Sequence, residues 1–333
     1  MGRAIYVSSV NGDDANSGYA PEKAFRSLRK VNQMEIQPGD QILLERGSVF
    51  VGEYLHLYRG GTKEAPVVVD AYGEGALPRI ETDGNGIWYQ NYGGHLDNVV
   101  HTWKGYLSSA VLLYDAEYIS IRNLEITNNP CVKNERLNQA DRMNRTGVSV
   151  IAKNHGTLHE IELDHLYIHD VEGNIYDKHL NNGGIYMSVS RPDDEEKTGI
   201  ARYDGIHIHH CKVENCRRWG IAAGYTYQHD KFTTLELPDE VVKTYGSTNV
   251  VIEHNFVKDI GGDGITPMYC FEPLIQYNVS ENIAVDIHPD LYNEEGNRGG
   301  MTAAAIVLPM MPDLAMEMQN SVVPVQRSLQ HCL

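Results

Sequence analysis

Ile206-His207-Ile208-His209-His210-Cys211-Lys212-Val213-Glu214-Asn215 is the stretch that decides the fold, because near-copies of it recur along the chain. Ile119 to Asn128 reads Ile-Ser-Ile-Arg-Asn-Leu-Glu-Ile-Thr-Asn, and Ile161 to Asp170 reads Ile-Glu-Leu-Asp-His-Leu-Tyr-Ile-His-Asp. The runs Val250 to Asp259 and Pro273 to Asn282 follow the same scheme. With Ile121, Leu163, Ile208, Ile252 and Ile275 as equivalent anchors, the spacings are 42, 45, 44 and 23 residues. Each copy holds two short alternating stretches around a corner, too short for amphipathic helices. No copy can bury its apolar side alone, but stacked copies share one continuous core.

Two further patterns run through the repeats. Seven residues past each anchor stand Asn128, Asp170, Asn215, Asp259 and Asn282. Asn and Asp tolerate bent backbone and bond their own turns, so this column reads as a structural ladder. Between the copies recur Gly86-Ile87, Gly147-Val148, Gly184-Ile185, Gly220-Ile221 and Gly264-Ile265. The glycine is expected to allow a sharp turn into a short strand, with the branched residue pointing inward.

The bulk composition agrees. The 333 residues are 41% hydrophobic and 22% charged, with 20 tyrosines and 31 glycines, a mixture suited to short strands and tight turns. A formal charge of −17 argues against a surface that tracks nucleic-acid phosphates. The five cysteines (Cys131, Cys211, Cys216, Cys270, Cys332) form no CxxC pair, so neither a disulfide framework nor a zinc pattern is expected. Cys211 falls on a core position and reads as a buried free thiol. No apolar run is long enough to span a bilayer, and no membrane partner is expected. Met1 leads directly into a strand-like run, and a secreted or periplasmic protein whose leader is absent from this sequence is the expectation.

Ahead of the repeats the pattern changes. Pro21 to Gln33 places Phe25, Leu28 and Val31 on one helical side, predicting a short capping helix over the open end of the solenoid. Pro38-Gly39-Asp40 turns into Gln41-Ile42-Leu43-Leu44, and strand-like runs follow at 54–57, 67–70 and 79–81. The N-terminal cap is assigned to about residues 1–45.

Ile5-Tyr6-Val7-Ser8, Gly12-Asp13-Asp14-Ala15-Asn16-Ser17-Gly18 and Gln37-Pro38-Gly39-Asp40-Gln41-Ile42, with the Gly-Ile openings and the Ile-Glu-His-Asn and Ile-Gln-Tyr-Asn runs, resemble the pectate-lyase-like superfamily. That resemblance covers residues 4 to 306 and implies an all-β, right-handed parallel β-helix that binds carbohydrate along a shallow groove. It is specific for fold and weak for activity, since the superfamily includes hydrolases, lyases, esterases and non-catalytic adhesins. Residues 1–306 are assigned to the β-helix. The tail 307–333 shows no further coil and reads as atypical, truncated or frame-disturbed.

Aligning the glycine openings predicts the groove. Asn85, Thr146, Gly183, Trp219 and Asp263 precede the glycines, and Gly84, Arg145, Asn182, Arg218 and Gly262 come one place earlier. Adjacent coils stack about 4.8 Å apart, which would make Trp219 and Asp263 neighbours with Arg218 beside them. A carboxylate against an aromatic wall suits a general acid. The bland alternative is that Asp263 stabilises its glycine-rich turn. Trp88, Ser149, Tyr186, Ala222 and Thr266 should point outward, with Trp88 and Tyr186 either sugar platforms or covers for a loop. Glu295 or Asp290 is a candidate second carboxylate, His179 a candidate proton shuttle, and Arg145 a further substrate contact. The acidic run 193–196 reads as solvated loop rather than a calcium cage. His207 and His209 share one strand face; a plain polar outer face is the first reading and metal binding the chemical alternative. No resident metal or cofactor is assigned, calcium entering only if the protein is a lyase.

Acidic and aromatic candidates outnumber basic ones at this groove, which ranks glycoside hydrolysis of a poly- or oligosaccharide first. A polysaccharide lyase acting through Arg145, Arg217 and Arg218 on a uronate ranks second. A non-catalytic glycan-binding or structural solenoid ranks third. Carbohydrate is the expected partner, and the oligomeric state is left open.

Overall fold

The computed structural model describes residues 2–94, 103–130, 143–174, 180–232 and 237–285. Its strands build three parallel sheets that run the length of a right-handed parallel β-helix. The first sheet stacks eight strands: Ala4–Val7, Gln41–Glu45, Val67–Tyr72, Ile119–Arg122, Thr157–Asp164, Arg202–His209, Thr248–Glu253 and Leu274–Gln276. The second holds seven, from Val49–Val51 through Arg79–Glu81, Glu125–Asn128, Tyr167–Val171, Lys212–Cys216 and Phe256–Ile260 to Val279–Ile283. The third runs Leu55–Leu57, Lys104–Tyr114, Arg145–Ala152, Gly183–Val189, Trp219–Thr226 and Asp263–Pro267.

The repeat anchors pair as the spacing implied. Ile121, Leu163, Ile208, Ile252 and Ile275 are consecutive partners in the first sheet. The same column continues through Val69, Ile42 and Ile5, three members that lie in the N-terminal part where no repeat is visible. Seven of these eight side chains are fully buried. Stacked branched residues exclude water along the whole axis, which is why rungs as short as three residues suffice. Cys211 is buried and free, and burial pushes its thiol up to about 12.

Several local expectations need correction. Pro21 to Gln33 is not one helix: Pro21–Lys23 forms a 3-10 turn, and only Leu28–Asn32 is α-helical. Between them Phe25 bridges Val7 as an extended residue. Phe25, Leu28 and Val31 are nonetheless all buried in the main core. Glu53 accepts from the Leu28 backbone N–H at 2.6 Å, so a side chain from another coil caps this short helix.

The glycine openings have two different causes. Gly86 has φ +63 and does turn the chain, but it leads into Ile87–Asn91, which pairs antiparallel beside the third sheet rather than forming a rung. Ile87 is accordingly exposed, and Ser109 rather than Asn85 stands in register with Thr146. Gly147, Gly184 and Gly220 have no left-handed backbone. They are small because the next rung's backbone and a side chain of the second sheet crowd them together: an added Cβ at Gly220 would lie 2.4 Å from the Gly264 carbonyl oxygen and 2.6 Å from Val257 Cγ1.

The polar corner column holds at Asp170, Asn215, Asp259 and Asn282, all with φ near +50. Asn215 donates to Asp170 at 2.5 Å, and Asn282 bonds Asp259. Asn128 falls out of the column, because a register shift after Thr127 pairs it with Val171. It instead accepts from the Gly84 backbone N–H at 2.9 Å and donates to the Thr146 carbonyl at 3.0 Å. A second ladder sits at the other corner. Asn255 accepts from the Cys211 N–H, and Asn278 accepts from the Asn255 N–H, each at 2.9 Å.

Two predictions follow from this packing. Gly220→Ala must push apart two backbones and should cost about 1–3 kcal/mol in urea unfolding. His56 lies buried against the Ser109 carbonyl at 2.9 Å, and burial pulls its pKa down from 6.5 to about 4. Its neutral form favours folding at pH above 6.5, and that stability is lost as pH falls toward 4. The loss is about 3 kcal/mol, and His56→Gln should flatten that limb of the stability–pH curve.

Candidate active site

The outer face of the third sheet carries an aromatic layer. At its earlier rungs Trp88, Leu107, Leu112, Ile151 and Leu180 form a separate buried cluster outside the solenoid. Trp88 is 7% exposed and its indole N–H donates to Ser109 Oγ at 2.8 Å. That hydroxyl continues into a chain with Thr146 and Ser149 at 2.7 and 2.8 Å. Trp88 therefore seals this face, the cover alternative rather than an open platform. The outward column of Ser149, Tyr186, Ala222 and Thr266 is in register as expected, yet all four side chains are buried.

At the later rungs the layer changes character. Trp219 pairs directly with Asp263, so no coil intervenes. Arg218 adopts φ +63, and its guanidinium lies over the Trp219 ring at 4.5 Å from the centroid. Such a cation–π contact out of water contributes about 2 kcal/mol. Arg218, Trp219 and Asp263 are 4%, 3% and 5% exposed, so all three side chains are largely desolvated. Asp263 lies within the strand Asp263–Pro267 rather than in the glycine turn before it. The close approach belongs to Gly262, where a Cβ would meet the Arg218 carbonyl oxygen at 2.2 Å.

The aromatic wall is larger than the repeats revealed. Tyr186 stacks on Tyr225 at 5.5 Å, and both rings approach Trp219, at 6.2 and 5.8 Å. Tyr269 adds an edge to Tyr225 at 6.3 Å and meets Phe232 at 4.8 Å. Tyr225 reaches this position through a bulge. Met187 pairs with Ala223 and Ser188 with Tyr225, which leaves Gly224, at φ +92, as the extra residue. A glycine inside a strand pattern was the available signal. Burial raises the Tyr186 hydroxyl well above its ordinary pKa, so it stays protonated across the physiological range.

The remaining candidates divide. Arg145 is half-buried and donates to the Glu172 carbonyl oxygen at 3.4 Å, while Arg217 bonds the Glu172 carboxylate at 3.1 Å. These two arginines form an edge cluster around Glu172. Asp194 caps the helix Glu195–Thr198, and Asp193 pairs with Lys153 at 2.7 Å. The acidic run is thus a structured loop. His179, Asp290 and Glu295 lie outside the described residues. A cavity of about 340 Å³ beside Ser27, Arg29, Asn32, Glu53 and Tyr54 lies on the first coils, but its acid, Glu53, is taken by the helix cap.

No family model matches the chain. The lacto-N-biosidase of Bifidobacterium longum subsp. longum is 39% identical over 341 residues, covering 92% of this chain and 21% of that protein. Two crystal structures of GH136 lacto-N-biosidase from Eubacterium ramulus are 52% and 53% identical, with TM-scores of 0.87 and 0.86. They cover 92% and 91% of this chain, and 49% of each of those chains. The chain thus spans about a fifth of the curated relative's length and about half of the solved ones.

Proposed function

We propose that this chain carries the β-helix of a secreted or periplasmic glycoside hydrolase of the lacto-N-biosidase type, acting on an oligosaccharide with a lacto-N-biose unit. The observation that carries the reading is the Trp219–Asp263 rung, with Arg218 on the indole and tyrosines on its flank. The similarity to the Bifidobacterium and Eubacterium enzymes supports the substrate class.

Glycoside hydrolysis commonly needs a proton donor for the leaving oxygen and a second carboxylate for the anomeric carbon or its water. Asp263 is assigned the first contact with the glycosidic bond. Apolar rings beside a carboxyl favour its protonated form, the form a general acid needs. Trp219, Tyr186 and Tyr225 are buried, so they serve as an apolar wall behind the Asp263 carboxyl rather than as open sugar platforms. Glu295, Asp290 and His179 remain the proposed partners. The gap between the two carboxyls would decide the stereochemical outcome, about 5 Å for retention and a larger one for inversion.

The lyase alternative needs free cations beside a uronate, and two of its three arginines are bound around Glu172. In the full-length protein, Asp263→Asn should lower kcat on a p-nitrophenyl lacto-N-bioside by about 10²–10⁴-fold. Trp219→Ala should lower kcat more than it raises KM, because it removes the apolar wall beside Asp263. Activity left intact by Asp263→Asn removes the assignment, and an ultraviolet-absorbing unsaturated product from a uronate polymer would install the lyase instead.

A further inference from the structure

The outer face of the first sheet gathers imidazoles and carboxylates that the glycosidase reading does not use. Glu162 pairs with His207, and Asp164 with His209, on two adjacent rungs. Glu253 follows His209 on the next rung. One ligand atom each from Glu162, His207 and His209 lies within 4.8 Å of the others. The sequence suggested a plain polar face here. The side-chain bonding is more specific than that.

His209 uses both ring nitrogens. Its Nε2 lies 3.2 Å from Glu162 Oε1 and its Nδ1 lies 3.0 Å from Asp164 Oδ1. A metal-bound histidine typically has its other nitrogen held by a carboxylate in this way, which fixes tautomer and ring direction. Ser120 Oγ donates to Glu162 Oε2 at 2.6 Å, leaving Oε1 turned toward the two rings. His207 is held from the far side by Glu253 Oε1, 3.0 Å from its Nε2, and Gln276 fixes that carboxylate at 2.6 Å. The two imidazoles stack at 3.9 Å, with side chains 40% and 13% exposed, so an ion has access from solvent.

We propose that Glu162, His207 and His209 bind a divalent transition-metal ion, with Asp164 as the residue that positions His209. Two imidazoles and one carboxylate form a borderline donor set that suits zinc, cobalt or nickel better than calcium or magnesium. Because the ligands come from two rungs, the ion ties the strands Thr157–Asp164 and Arg202–His209 together. This sheet is distinct from the one that carries Trp219 and Asp263, so the ion is structural to the solenoid and takes no part in turnover.

The test uses the chain without a histidine tag, titrated with cobalt chloride and, separately, zinc chloride. One equivalent of cobalt should produce visible ligand-field bands, and zinc should displace it and raise Tm. His207→Gln with His209→Gln should abolish stoichiometric binding, and Glu162→Gln alone should weaken it. Asp164→Asn should weaken it about 10-fold, while His155→Gln, outside the cluster, should leave it unchanged. Circular dichroism confirms that each variant folds. The absence of saturable cobalt binding by the unmodified chain overturns the proposal. So does binding that survives loss of His207 and His209, or that depends on the neighbouring exposed group Asp164–His165–His210 instead.

Discussion

Parallel backbone pairing from one coil to the next is the constraint on which everything else here depends. Each strand is too short to be stable alone, and its hydrogen bonds are satisfied only by the coils above and below. Fixing that register fixes every side-chain column at once. The apolar column from Ile5 to Ile275 then excludes water along the axis, and the polar columns at the corners satisfy bent backbone. Columns on the outer faces are left to carry chemistry.

The three sheets divide those tasks. Between a side chain of the second sheet and the carbonyl of the next rung, Gly147, Gly184 and Gly220 have no room for a Cβ. That contact anchors the base of the third sheet, whose outer face carries the aromatic wall. The first sheet has an open outer face instead, where carboxylates and imidazoles line up from rung to rung. A buried arginine against Trp219 is costly unless the ring and nearby groups compensate.

The anchors and the Trp219–Asp263 rung were legible in the sequence because stacking turns equal spacing into contact. The first three members of the Ile5 column were not, since no recognisable repeat surrounds them and only the tertiary pairing reveals them. Asn85 and Trp88 were misplaced for the opposite reason. Their Gly-Ile signature matched the others, but the strand it opens turns back antiparallel. Tyr225 escaped because alternation fails at a bulge, and Gly224 was the single local clue. The helix over 21–33 was overextended, because apolar spacing alone does not distinguish a helix from an extended Phe25 followed by one helical turn.

The tight turns before Trp219 and Asp263 leave only two residues between the second and third sheets, Arg217–Arg218 and Gly261–Gly262. The connections at 190–201 and 227–247 leave the third sheet instead and are far longer. Tolerance to insertion and deletion is therefore partitioned along the chain. Gaining or losing a residue within a rung would move the rest of that strand to the opposite face unless a bulge like that at Gly224 absorbs it, whereas a change of length within 190–201 or 227–247 leaves the rungs in register. Divergence among relatives of this solenoid should accordingly accumulate as loop exchange around an unchanging frame.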